Sequence, residues 1–272
     1  MTPRVSMVVL AFGETRFLGE AIESCMVQTM PDFELLVALP PGAVAGSMVD
    51  RYCAIDSRIR LVESDSIADA AGQCLCDIVA CLEASDVALP HRIERQLGYL
   101  DRHPEIDGVS GGTVCIRADG HPFIGFPHRD SSPSLTAAMF RHAVYYDASV
   151  SSPAAKIFTR PPCRAGFSQR GTSVPLAIPA PALGERAMWG RLQPARDFSP
   201  AFLPGAVVKR RIFPGMTVTD PLRAIFEFSA AGYHAEAARV ARSVLDSGGA
   251  SGEIANHLRG IVHAAEAIGA DQ

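Results

Sequence analysis

Val5-Ser-Met-Val-Val-Leu-Ala-Phe12 is an almost unbroken apolar run rich in β-branched residues, the pattern of a parallel strand buried on both faces. From Thr15 to Thr29 the period changes. Phe17, Ala21, Ile22, Cys25 and Met26 recur at helical spacing and Pro31 ends the pattern, which predicts an amphipathic helix. Phe33 to Leu39 is a second apolar run, closed by Pro40-Pro41-Gly42. Strand, helix and strand within about forty residues make a βαβ unit, whose crossover joins parallel strands.

Further along, Val44 to Tyr52 predicts another helix, Ile59 to Val62 a short strand, and Ile78 to Leu82 a strand that leads into Glu83-Ala-Ser-Asp86. Pro90 opens a helix through Leu100, with Ile93, Leu97 and Leu100 on one face. Val109 to Ile116, followed by the turn signal Ala118-Asp-Gly-His121, predicts strands at or past the sheet edge. The chain up to Cys115 thus predicts an α/β fold, a doubly wound and mostly parallel sheet flanked by helices. From Pro122 to Pro204 the sequence is irregular and rich in Pro, Ser and Gly, as in long functional loops. Asp220 to Leu245 and Gly252 to Ala267 predict two Ala-rich helices parted by Ser247-Gly-Gly249, an antiparallel C-terminal helical hairpin.

Composition narrows the function classes more than the fold. A chain of 272 residues, 48% hydrophobic and 20% charged, suffices for one large α/β domain with an appendage, or for two small domains. Its net charge of -4 is spread along the sequence without a basic stripe, so no nucleic acid partner is expected. Seven cysteines form no paired spacing, which points to reduced thiols and a cytoplasmic location. Cys74, Cys76 and Cys81 lie in an apolar run without the Cys-x2-Cys or His pairs of a zinc site and are predicted to be packed thiols. No apolar stretch reaches the roughly 18 residues of a transmembrane segment, and Gly13-Glu14 after the first run speaks for a strand rather than a signal peptide.

The order of these elements and the residues that fill them resemble glycosyltransferase family 2. The likeness begins with Pro3-Arg-Val-Ser-Met-Val-Val, continues through Phe17-Leu-Gly-Glu-Ala-Ile-Glu-Ser24, Gln28-Thr29 and Asp32-Phe-Glu-Leu-Leu36, and is strongest over Leu82-Glu-Ala-Ser-Asp-Val-Ala-Leu-Pro-His-Arg-Ile-Glu-Arg-Gln96 and His103-Pro-Glu-Ile-Asp107. Weaker echoes lie at Ser152-Pro153, Phe158 to Arg160, Glu185, Met188-Trp189-Gly-Arg-Leu192 and Val208-Lys-Arg-Arg-Ile-Phe-Pro-Gly215. The resemblance implies a GT-A fold over residues 1–217, with a nucleotide-binding half of about 1–117 and an acceptor-side half of about 118–217. Residues 218–272 form the helical hairpin outside it.

The implied activity transfers a sugar from a nucleotide-diphosphate sugar to an acceptor hydroxyl. It calls for a carboxylate after the second strand to hold the base, a carboxylate pair to hold Mg²⁺ or Mn²⁺ on the diphosphate, and a general base. After the second strand the family shows Val-Asp-Asp-Gly-Ser, where this chain has Val37-Ala-Leu-Pro-Pro-Gly42. Ala38 and Leu39, with Ala11 and Phe12 at the end of the first strand, therefore occupy donor-facing positions without a hydrogen-bonding side chain.

The family's Asp-x-Asp-Asp aligns with Glu83-Ala84-Ser85-Asp86, so Glu83 and Asp86 are the expected metal ligands and Asp86 also a donor contact. The competing structural reading makes Asp86 a cap for the helix beginning near Pro90 and Glu83 a solvated side chain. On the acceptor side Gly184-Glu185 replaces Glu-Asp ahead of Trp189, which makes Glu185 the expected general base and Trp189 a substrate contact. Glu185 reads equally as a first-turn helix residue. A late metal-binding His of the family falls at Phe213, which ligates nothing. Arg210 and Arg211 beside it match diphosphate chemistry, or else form a strand edge or a structural ion pair.

Two of these four sites keep a carboxylate and two do not, which favours a divergent glycosyltransferase. The alternatives are a catalytically inactive relative that binds or scaffolds through its C-terminal helices, where a homo-oligomer would also form, and a carbohydrate-recognition domain.

Overall fold

In a computed structural model, residues 2–64, 67–104, 108–123, 157–159, 200–216, 218 and 221–270 are described. The chain forms two compact units, one from Met1–Thr113 and Arg129–Arg210, the other from Val114–His128 and Arg211–Gln272.

The first unit is built on β1 (Val5–Leu10), β2 (Phe33–Leu39), β3 (Ile59–Glu63) and β4 (Ile78–Glu83). β1 lies between β2 and β4, β2 pairs with β3, and all these ladders are parallel. Helices α1 (Leu18–Met26), α2 (Gly46–Ile55) and α3 (Ile67–Gly72) connect them in turn. Side chains alternate across each strand, so the sheet has two buried faces. Val5, Met7, Val9, Leu35 and Val37 pack with Leu18, Ala21, Ile22 and Cys25 of α1, Val49 of α2, and Ile93 and Leu97 of α4 (Arg92–Arg102). On the other face Val8, Leu10, Leu36, Ala38 and Val62 meet Ala70 and Cys74. Burial on both sides is why these strands read as continuous apolar runs, each large side chain contributing about 1.5–3 kcal/mol.

The complete strand order is β3-β2-β1-β4-β7-β6-β8-β5. It adds β5 (Val87–Ala88), β6 (Gly108–Ile116), β7 (Ile157–Thr159) and β8 (Pro200–Arg211). β7 runs antiparallel to β4 and β6, and β5 antiparallel to β8. The fold is therefore α/β, with a parallel half that winds to both sides of β1 and an antiparallel extension.

Several elements depart from the sequence pattern. β6, expected at or past the sheet edge, lies inside the sheet between β7 and β8. α3 is six residues long, too short to show a helical period. β8 passes through Pro204-Gly205, residues that disfavour a strand interior, and its first half reads as irregular sequence for that reason.

One polar row crosses the second face of the sheet. The Glu34 carboxylate accepts from the Ser6 hydroxyl, from the Leu75 amide and from Arg60 Nη2 at 2.9 Å. Ser6 Oγ in turn accepts from the Cys76 amide at 3.1 Å, so the row anchors the connection between α3 and β4.

At the edge of this sheet the Arg58 guanidinium stacks on Phe33 at 4.1 Å and grips Asp56 at 2.7 Å. The hydrogen bond from Arg58 holds the Asp56 carboxyl below its usual range, against a smaller opposing effect of burial. A carboxylate lowered by folding stabilises above its unfolded pKa and loses that contribution as pH falls through the folded one. Asp56→Asn is therefore expected to flatten the acid limb of the stability curve below about pH 4. Thermal melts of both proteins across that range check it, and parallel limbs would refute it.

The second unit packs Ile212, Ile225, Phe228, Ala237, Val240, Ala241 and Leu258 into its own core. The single helix expected from Asp220 to Leu245 is two, α5 (Pro221–Ala230) and α6 (His234–Asp246), followed by α7 (Gly252–Ala270). Gly232 adopts φ 84°. Its amide donates to Ser229 O and that of Tyr233 to Phe228 O, the double bond of a glycine-terminated helix. The described part of the hairpin is thus three helices. Among the described residues no helix is long and apolar enough to cross a membrane.

Candidate functional site

β2 and β3 lie to one side of β1 and β4 to the other. Such a reversal of winding opens a crevice beyond the C-terminal ends of the two strands that flank it. The register sets Leu10 level with both Ala38 and Glu83. Main-chain bonds carry the alignment further: Ala11 N donates to Ala38 O at 2.9 Å, Ala84 N to Leu10 O at 3.0 Å and Ser64 N to Leu39 O at 2.9 Å. Ala11–Phe12, Ala38–Leu39 and Glu83–Asp86 therefore share one edge of the sheet, as the sequence places them.

What they present there differs from their assigned part. Ala11, Ala38 and Leu39 are 2, 0 and 2% exposed, and the carbonyls of Ala38 and Leu39 already accept from the neighbouring strands. Their side chains belong to the core. Surface at this edge begins with half-buried Phe12 and with Pro40, Pro41 and Gly42, where Gly42 takes φ 73°.

The acidic segment is a tight turn, closed by Asp86 N donating to Glu83 O at 3.0 Å. Glu83 is half-buried and Asp86 is buried. The chain after it is held from two directions. Val87 and Ala88 pair with Lys209 and Val208 of β8, and Leu89 N donates to Val207 O at 2.9 Å. From the end of α1, Ser24 Oγ accepts from Ala88 N at 3.0 Å. Gln28 donates through Nε2 to Leu89 O at 2.9 Å and accepts through Oε1 from Ile93 N at 3.1 Å. Thr29 N donates to Pro90 O at 2.9 Å.

Beneath the turn lies Arg92, fully buried. Its Nη2 donates to Cys81 O on β4 at 2.7 Å and its Nε to Gln96 Oε1 at 3.1 Å, while Gln96 Nε2 reaches Val109 O at 3.1 Å. Burial pulls the guanidinium down to about 10, opposed by Cys25, Cys81 and Asp86, and leaves it charged at neutral pH. Burial pushes the Cys25 thiol up to about 12. Cys25 is thus neutral at physiological pH, and the Asp86 carboxylate contributes to keeping the buried guanidinium charged. α4 begins after His91, whose own side chain does not cap it.

Among the described residues no group of three His, Cys, Asp or Glu stands together as a metal site. Glu83 and Asp86 offer two carboxylates, and Asp86 lies near enough to Arg92 to favour its charged form. A hard cation here would draw the rest of its shell from phosphate oxygens and water, which suits Mg²⁺ or Mn²⁺ chemistry.

Glu185 and Trp189 lie outside the described residues. Arg210 is half-buried on β8. Arg211 belongs to the second unit and is 2% exposed. Its Nη1 donates to Ala118 O at 2.9 Å and Arg117 O at 3.3 Å. A guanidinium so placed clamps the Arg117–Gly120 turn and is not a surface charge for a diphosphate. Phe213 is core.

Sequence reasoning passed over Ser24, Gln28, Arg92 and Gln96 as site-shaping residues. A signal existed for the last two: they stand at i and i+4, each just before an apolar residue of the α4 stripe (Ile93, Leu97), and polar residues on a buried face require internal partners.

No protein-family model matches the chain. Over 129 residues it is 31% identical to the uncharacterized glycosyltransferase MJ1057 of Methanocaldococcus jannaschii, covering 44% of each. Over 124 residues it is 24% identical to the O-antigen biosynthesis glycosyltransferase WbnJ of Escherichia coli, covering 43% of this chain and 48% of that one. The chain thus spans less than half the length of these curated relatives. Crystal structures of S. aureus TarS residues 1–349, one in complex with UDP and one with UDP-GlcNAc, superpose with TM-scores of 0.53 and 0.50 at 13% identity, over 95% of this chain and 69% and 70% of theirs. Over less than half its length, then, the chain is similar to glycosyltransferases, and its fold is a GT-A-like α/β fold.

Proposed function

We propose that the chain transfers a glycosyl group from a nucleotide-diphosphate sugar to an acceptor hydroxyl. The observation that carries this reading is the acidic turn Glu83–Asp86 at the point where the sheet reverses its winding, the place where α/β sheets take their ligands. Support comes from relatives that are glycosyltransferases and from TarS, a structural neighbour that holds UDP or UDP-GlcNAc.

In this reading the diphosphate lies over the turn. Mg²⁺ or Mn²⁺, held by Glu83 and Asp86 together with phosphate oxygens, would supply positive charge to the leaving group. Without a carboxylate after β2, the base rests on Phe12 and on the Pro40–Gly42 segment. Glu185 takes the acceptor proton as the sugar–phosphate bond breaks and the new glycosidic bond forms, Trp189 borders the acceptor, and Arg210 adds charge near the diphosphate.

Calorimetry with UDP and GDP, with and without Mn²⁺, tests this on the wild type and on Glu83→Ala. Metal-dependent binding weakened about tenfold or more in the variant, roughly 1.4 kcal/mol, is the expected result. No heat under any condition would instead favour the non-catalytic relative, a reading to which the missing base-binding carboxylate at Ala38 and Leu39 lends weight.

A further inference from the structure

We propose that Gln28 and Arg92 are positioning residues for this site, fixing the acidic turn at both flanks so that its carboxylates are set before any diphosphate arrives. The inference rests on the reading of the turn as the donor site. It concerns residues that touch neither donor nor acceptor.

The geometry argues for it from two sides. Upstream of the turn, the Arg92 guanidinium is bonded to the carbonyl of Cys81, two residues before Glu83. Arg92 is thereby tied through its side chain to β4 and through its amide to Leu89 O at 2.9 Å, so one residue spans the turn. Downstream, Gln28 uses both ends of its amide on the main chain of Leu89 and Ile93, and its Nε2 also reaches Ser24 O at 3.0 Å. Gln28 is 7% exposed and Arg92 and Gln96 are fully buried.

A core made only of packing would fill these positions with apolar side chains at lower desolvation cost. Polar groups here instead hold main-chain atoms on either side of two carboxylates, where a misplacement of about 1 Å weakens charge–charge contacts and ligand geometry sharply. The buried cation also offsets Asp86, which lessens the repulsion that an anionic ligand would meet at the turn.

The test uses the full chain as wild type, Gln28→Leu, Arg92→Lys and Arg92→Met, with Arg4→Ala as control. Arg4 forms an exposed pair with Asp101 and has no part in the turn. Binding of UDP with Mn²⁺ is measured by calorimetry, thermal stability separately, and hydrogen exchange at the Asp86 amide without ligand. Gln28→Leu is expected to remain folded, to exchange faster at Asp86 while the amides of β1 hold, and to bind UDP about tenfold more weakly. Arg92→Lys keeps the charge and one donor, and is expected to bind more tightly than Arg92→Met.

If Arg92→Met does not fold, Gln28→Leu and Arg92→Lys decide the matter. A folded Gln28→Leu with wild-type affinity overturns the positioning role and leaves the donor site standing. An unchanged Asp86 amide in that variant also overturns it. Wild-type protein that binds no nucleotide overturns the donor reading, and this inference with it.

Discussion

Asp86→Ala is expected to lower folding stability by about 1–3 kcal/mol and by more than Glu83→Ala, although both remove a carboxylate from the same turn. The difference lies in what each leaves behind. Asp86 is 3% exposed and its charge favours the charged form of Arg92, which is 0% exposed. Without it a buried guanidinium keeps its bonds to Cys81 O and Gln96 but has lost a carboxylate that favoured its charge. Glu83 ends β4 and is only half-buried. Urea melts compare the two directly. Equal, small losses would show that Asp86 does not balance Arg92, and would return it to the ligand-binding role alone. The same asymmetry makes Glu83→Ala the cleaner probe of nucleotide binding, because a weakened Asp86→Ala reports folding and binding together.

Glu34→Leu is expected to cost about 1–3 kcal/mol, most of it from groups other than the visible ion pair. The Arg60 side chain is 41% exposed and returns to water when Glu34 is lost, so the pair itself contributes little. The Ser6 hydroxyl has no such escape, being 0% exposed, whereas the Leu75 amide lies in a part-buried bond on an exposed residue. Both donate to the same carboxylate oxygen, and a stranded buried donor costs about 1–3 kcal/mol. Arg60→Ala should accordingly be mild. Chemical denaturation of both variants tests the division, and a larger loss in Arg60→Ala than in Glu34→Leu would reverse it. The connection into β4 is expected to loosen first, since Glu34 and Ser6 hold the Leu75 and Cys76 amides.

Much of the fold is legible in the sequence alone. Phe33–Leu39 appears as a strand with the limits its apolar run predicts, and the other three parallel strands and the helices α1, α2 and α4 fall within a few residues of their patterns. These elements announce themselves because burial on a fixed geometry imposes a period on the sequence. Gly232 was the weak point. Within an Ala-rich stretch a single glycine reads as a tolerated helix residue, and only the positive φ reveals the break into α5 and α6.

The candidate site divides along the same line. That Glu83 and Asp86 follow a buried strand is written in the order of residues, because strand ends and turn residues are local features. Which of them balances a buried charge is not, since Asp86 acquires that part only when Arg92 folds beneath the turn. Ala11, Ala38 and Leu39 occupy the sheet edge that their order assigns them, yet the flanking strands and helices cover them.

The sequence by itself determined the βαβ winding and the placement of an acidic turn at a strand end, both consequences of periodicity along neighbouring residues. Only the tertiary structure decided which polar residues serve the architecture. Ser24 and Gln28 meet the chain after the turn from 61 to 65 positions away, and Glu34 meets Leu75 across 41. No local pattern encodes such pairings, because a hydrogen bond depends on distance in space and the chain brings those atoms together only by burying them.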